Sequence, residues 1–99
     1  MNPIMENIRQ QEKDNRGDFY IEVDGERKGS LRYLLFDSGR MVLVHTEVSA
    51  ELKGQGAGRK LLNRAVRDAR ERGFRILPQC PYARRVMYKN REEFQDVLI

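Results

Sequence analysis

Residues 40–72 read RMVLVHTEVSAELKGQGAGRKLLNRAVRDARER, and this stretch decides the fold. Its first nine residues alternate as a strand does, with Met41 and Leu43 on one face and Val42, Val44 and Val48 on the other. Apolar residues on both faces predict an interior strand covered on both sides. The same alternation continues the Met41–Leu43 face with His45 and Glu47 and puts Thr46 opposite them. After Glu51 the period becomes helical. Ala57, Leu61, Leu62, Ala65, Val66 and Ala69 form one apolar stripe, while Arg59, Lys60, Arg64, Arg67, Asp68 and Arg70 fill the other faces. Gly73 stands where a glycine ends a helix.

Between strand and helix lies a loop of Lys53, Gly54, Gln55, Gly56, Ala57 and Gly58, followed by Arg59. Glycines at alternate positions remove the side chains that block close approach to the backbone. Free N–H groups at the helix start, with the positive end of the helix dipole, then offer a phosphate site. The loop is not a dinucleotide fingerprint, because it lacks the third glycine at the proper spacing and follows an antiparallel meander. Nor is it a P-loop, since no Gly-Lys-Ser/Thr closes it. A ligand-free tight turn is the plainer alternative.

Outward from this unit, Phe19, Ile21 and Val23 alternate with Tyr20, Glu22 and Asp24 as a half-buried strand. Asp24-Gly25 signals a turn, a second strand is expected over 29–36, and Asp37-Ser38-Gly39 signals another turn. Downstream, Phe74 to Leu77 reads as the strand that receives the crossover. Pro81 suits the first position of a helix reaching Asn90, with a further helical piece over 92–97. The expected class is α+β: an antiparallel meander joined to a parallel βαβ unit, with helices flanking the sheet. Residues 1–17 are polar and read as a flexible or short-strand segment, anchored at most by Ile4, Met5 and Ile8. Residues 18–99 make one domain.

Composition narrows the function. No apolar run approaches the roughly 20 residues that a membrane span requires, and the first residues show no apolar signal core. A cytoplasmic protein is the default expectation, with no membrane partner. A single cysteine, Cys80, excludes an internal disulfide, and a single histidine, His45, excludes most zinc arrangements, so no metal is expected. Residues 53–91 hold 12 Lys or Arg against 2 acids, while the rest of the chain holds 7 against 13. That segregation points to an anionic partner for the C-terminal half: a phosphorylated cofactor, a nucleic acid or an acidic protein. Nucleic acid is disfavoured, because the basic helix has no interleaved aromatics and the chain carries no such motif.

The loop from Lys53 to Gly58 resembles the pyrophosphate-binding signature of the GNAT acetyltransferases, Arg/Gln-x-x-Gly-x-Gly/Ala, with Lys53 where Arg or Gln is usual. Lysine keeps the charge and loses the planar fork. The chain is further similar to a group of very small GNAT-like proteins through three ordered motifs. These are His45-Thr46-Glu47-Val48, the glycine loop, and Pro78-Gln79-Cys80-Pro81-Tyr82, and the resemblance spans about residues 18–98. The group often ends in His-Pro-Glu-Tyr, where this chain has Asn90-Arg91-Glu92-Glu93-Phe94. The resemblance implies a minimal GNAT-like fold that binds acetyl-CoA and transfers its acetyl group to an amine, on a small molecule or a peptide. It implies that Lys53, Gly54, Gln55, Gly56, Ala57, Gly58 and Arg59 hold the pyrophosphate, and that Thr46 and Val48 pair with the pantetheine arm. The Val48 N–H is then an oxyanion donor. Arg84, in the first turn of the helix after Pro81 where a cation is unfavourable, points to a negative group nearby, a thiolate or a cofactor phosphate.

Four side chains are catalytic candidates. Cys80 precedes Pro81 at a helix start, where the dipole favours a thiolate, against the alternative of an inert buried thiol. His45 and Glu47 are candidate proton acceptors, against a bonded histidine and an ion-paired carboxylate. Tyr88 is implied as a proton donor to the sulfur, with Tyr82 as the other aromatic in that helix. Direct transfer and a route through acetylated Cys80 both remain open. So does a coenzyme A-binding module with little or no catalysis. The acceptor and the oligomeric state are not readable from the sequence.

Overall fold

A computed structural model describes residues 8–99. Five strands form one sheet in chain order: β1 (Ile8–Lys13), β2 (Arg16–Val23), β3 (Glu26–Phe36), β4 (Arg40–Val48) and β5 (Arg75–Pro78). β1 to β4 are antiparallel and β5 is parallel to β4. This is the expected α+β meander joined to a βαβ unit. Within the first 17 residues, β1 pairs with β2 as an edge strand; the anchoring expected of Ile4 and Met5 falls outside the described residues.

A short 3₁₀ turn, Ala50–Leu52, leads through the glycine loop into α1 (Ala57–Arg72). α2 (Pro81–Lys89) follows β5, and α3 (Arg91–Phe94) is shorter than expected. The residues expected to continue that helix instead turn so that Leu98 bridges to Ile76 in parallel, beside β5. Ile76 N–H donates to Val97 O at 2.6 Å and Ile99 N–H to Ile76 O at 3.0 Å, so the tail takes the sheet edge.

The apolar stripe of α1 is buried as patterned: Leu61, Leu62, Ala65 and Ala69 have no exposed area. It packs on Phe19, Ile21, Leu31, Tyr33, Met41 and Leu43, and Ala83, Met87 and Phe94 join the same core. Because Ala83 and Met87 share the core of α1, α2 lies on the same face of the sheet as α1. Side chains tie α1 to α3 through Arg59 and Glu93, and to the tail through Arg70 and Asp96. The opposite face carries none of these helices. The sequence predicts cover on both sides of β4, and here the structure differs. Val42 is buried between Leu34 and Leu77, its partners in register, with no helix above it, while Val44 is half-buried and Val48 exposed.

Candidate active site

The site grows from an irregularity in β4. Tyr33 pairs with Leu43 but Arg32 pairs with His45, so Val44 is left over as a β-bulge. One extra residue inverts everything beyond it. Thr46 therefore pairs with Leu31 on the helix face, whereas His45 and Glu47 pair with Arg32 and Ser30 on the open face. The expected continuation of the Met41–Leu43 face through His45 and Glu47 is corrected: Thr46 takes that face.

A second irregularity lies on the other side of β4. Its pairing with β5 stops at Leu43–Pro78, and Gln79 N–H and Cys80 N–H both donate to the Leu43 carbonyl, at 2.9 and 2.8 Å. The chain then turns into α2, and a gap opens beside the last residues of β4. Ser49 N–H donates to Lys28 O at 2.7 Å, which sets the phase of the ladder with β3. By the alternation of antiparallel pairs, Val48 and Thr46 direct their N–H and C=O groups away from β3 and into the gap.

The start of α1 borders the same gap. Its N-cap is Gly56, at φ 72°, with no side-chain cap bond and no acidic residue in the first turn. The first intrahelical bond runs from Lys60 N–H to Gly56 O, so the N–H groups of Ala57, Gly58 and Arg59 precede the ladder. Nearby Ser49, by contrast, caps its own 3₁₀ turn through Glu51 N–H. Gly54 and Gln55 are exposed, and the Gln55 amide donates to Glu51 O at 3.2 Å. The donors and the missing side chains fit an anionic group at this turn.

Charge sharpens the picture. Part of the basic excess of residues 53–91 is matched in space by acids from outside that segment: Arg59 by Glu93, Arg70 by Asp96, and Arg72 by Glu12, which joins Asp68 from the helix itself. The Arg59 side chain, which also donates to Asn63 and lies over the Phe94 ring, is thus committed to the protein, leaving its backbone N–H for a ligand. Lys53 and Arg84 are exposed and have no ion pair among the described residues.

Cys80 is 2% exposed, at the N-cap of α2, and its Sγ lies 2.9 Å from Thr46 Oγ1. This contact ties α2 to the far half of β4 across the gap. Cys80 and Thr46 meet on the helix face, whereas His45 and Glu47 lie beyond the sheet plane, 4.0 Å apart and largely exposed. Tyr88 is not brought to the gap. Its hydroxyl donates to the Ile99 carbonyl at 3.3 Å, two helical turns along α2 from Cys80.

Tyr82 is the aromatic that the fold does place there. Its ring lies 3.0–3.2 Å from where a Cβ on Gly58 would sit, so a side chain at 58 and this ring compete for one space. Burial raises the Tyr82 pKa, opposed by Arg59 and Arg85. The signal available in the sequence was the pairing of a bare Gly58 with an aromatic one residue after Pro81.

Comparison with known proteins gives a family and a fold. Residues 18–97 match the family described as GCN5-related N-acetyl-transferase. A GCN5-like structure from Staphylococcus aureus, solved by NMR, is 33% identical, with TM-score 0.69 over 94% of this chain and 89% of that one. Two further likenesses show the fold alone. The ribosomal-protein-alanine N-acetyltransferase of Brucella melitensis biovar Abortus 2308 is 17% identical, with TM-score 0.65 over 78% of this chain and 62% of its own. The ribosomal-protein-S18-alanine N-acetyltransferase of Escherichia coli is 17% identical, with TM-score 0.66 over 80% and 53%. The chain thus spans little more than half of these longer enzymes. Comparison with curated proteins gives no match.

Proposed function

Because the chain belongs to the GCN5-related N-acetyl-transferase family, we propose that it transfers an acetyl group from acetyl-CoA to a primary amine at the gap between β4 and β5. The observation that carries this reading is the set of backbone groups that the fold leaves unpaired at one place: Thr46 and Val48 on β4, and the first-turn amides of α1.

When bound, acetyl-CoA supplies a thioester whose carbonyl carbon accepts the amine and whose sulfur departs as a thiolate. The amides of Ala57, Gly58 and Arg59 receive the diphosphate at the positive end of α1, and Lys53 and Arg84 add charge. Gly54, Gln55 and Gly56 let the backbone approach. Thr46 and Val48 pair with the arm of the cofactor as a further strand would. The Val48 N–H serves as the donor to the developing oxyanion. The attacking amine must first lose a proton, and Glu47, next to Val48 and solvent-exposed, accepts it directly or through water, with His45 beside it.

Cys80 lines the gap and takes no acetyl group in this account. Its thiol is buried and faces Thr46 on the helix side, so transfer is direct, in a ternary complex. The test is a calorimetric titration with acetyl-CoA, followed by thiol release with a panel of amines and peptides and intact-mass measurement during turnover. Saturable binding, thiol release that depends on the amine, and an unmodified protein mass are expected. Silence with acetyl-CoA at millimolar concentration overturns the reading, and binding without turnover reduces the protein to a coenzyme A-binding module.

A further inference from the structure

The open face of the sheet holds a depression of about 470 Å³ next to Glu47, within the size range of ligand sites. Its floor is Gly29 and Ser30, and Asp18, Arg27, Arg32 and Glu47 stand around it. The floor is low because the row Tyr20–Ser30–Glu47 across β2, β3 and β4 has its smallest side chain in the middle. Two features of the walls are chemical. At one end the single ion-pair neighbour of Glu47 among the described residues is His45, at 4.0 Å, so its carboxylate is available to an ammonium group. At the other end Arg27 stacks its guanidinium 3.8 Å above the Tyr20 ring and donates to Gln11, with no acidic partner among the described residues. Arg32 lies between them and holds Asp18 by a single contact of 3.3 Å.

We infer that this depression is the acceptor subsite, and that it takes a peptide amino terminus with an acidic residue at about its third position. The inference rests on the acetyl-transfer reading above. Glu47 lies between Thr46 and Val48, so an ammonium held there adjoins the gap from the face opposite the helices. The Tyr20 strand lies two strands away, about 10 Å across the sheet. An extended peptide rises about 3.3 Å per residue, so its third residue reaches Arg27 and Arg32. Guanidinium groups bind carboxylates through charge-assisted bonds, and a partner that lacks the carboxylate leaves them unmatched.

The experiment compares two C-terminally amidated peptides, Ala-Ala-Asp-Gly and Ala-Ala-Asn-Gly, as acceptors for the full chain, with acetyl-CoA affinity measured separately by calorimetry. The aspartyl peptide is expected to show a kcat/KM about tenfold higher. In the variant with Arg27→Gln and Arg32→Gln together, both exposed positions, the two peptides should become equal while acetyl-CoA affinity stays unchanged. Equal kcat/KM values in the wild type, a preference that survives in the double variant, or failure to acetylate either peptide while acetyl-CoA binds, each overturns the acceptor assignment and leaves the transferase reading standing. Failure to bind acetyl-CoA overturns both.

Discussion

The two ends of the βαβ unit are built from the same kinds of parts and finished differently. At one end α1 stops on Gly73, at φ 73°, whose N–H closes on Ala69 and Arg70 carbonyls. There β4 and β5 are paired from Arg40–Arg75 to Leu43–Pro78, and the tail covers the edge beyond. At the other end α1 starts on Gly56, at φ 72°, with no cap, and β4 runs past its bulge with no β5 beside it. One end satisfies its backbone from within; the other leaves donors for a ligand. A helix terminus or strand edge without a partner is costly when buried. Here the unpartnered end is exposed, and it is where we propose that the cofactor binds.

Paired substitutions break or sharpen this contrast. The largest effect belongs to Glu47→Gln at the open end, which should lower kcat about a hundredfold with acetyl-CoA affinity intact. Glu71→Gln, at an exposed carboxylate toward the closed end that lies 3.8 Å from Arg67, should leave kcat unchanged in the same assay. Equal losses in both would remove Glu47 from the proton transfer.

Next come the two glycines. Both hold the left-handed conformation, where a side chain costs roughly 1–2 kcal/mol. Gly56→Val should weaken acetyl-CoA binding at least tenfold by calorimetry, since a β-branched residue strains the left-handed turn that aims the first-turn amides. Gly73→Ala should lower the melting temperature and leave acetyl-CoA affinity as it was. Should Gly73→Ala weaken binding as much, the effect is one of general stability.

Cys80→Ala probes the seam between the two regions. Loss of the buried thiol should cost about 1 kcal/mol of stability. Turnover should stay within a fewfold of wild type, with no acetylated protein by mass. Loss of turnover with a normal melting temperature would revive the covalent route.

The smallest effect lies far from the gap, where the Arg72 guanidinium, assisted by Tyr33 OH, holds the Glu12 carboxyl below its ordinary range against the opposing pull of burial. A depressed carboxyl adds stability above its unfolded pKa and loses it as pH falls through the folded one. Melting temperature should therefore decline below about pH 4.5. Glu12→Gln should flatten that decline, and an unchanged slope would remove Glu12 from the linkage.

Much of the closed end was legible in the sequence. β4 runs over the predicted residues, the α1 stripe is the buried face, and Gly73 is the C-cap. Local periodicity and turn chemistry suffice there, because each signal sits within a few residues of its effect. The open end was legible only in part. The faces of His45, Thr46 and Glu47 were misjudged. Val44 is a β-branched strand former with nothing local to mark a bulge; its position depends on how β3 meets β4 at Arg32 and Tyr33. The Thr46–Cys80 contact joins residues 34 apart, and Arg59 is neutralised by a glutamate 34 residues away. The Tyr88–Ile99 contact is equally non-local, because Ile99 sits on a tail whose path is set by Ile76.

The contrast between the two ends is tested most directly by following every backbone amide during an NMR titration with acetyl-CoA. The account predicts that Thr46, Val48 and the amides from Gly54 to Arg59 shift most, while those from Ala69 to Ile76 hold still. Shifts centred on Gly73 and the start of β5, or none at saturating ligand, would contradict it.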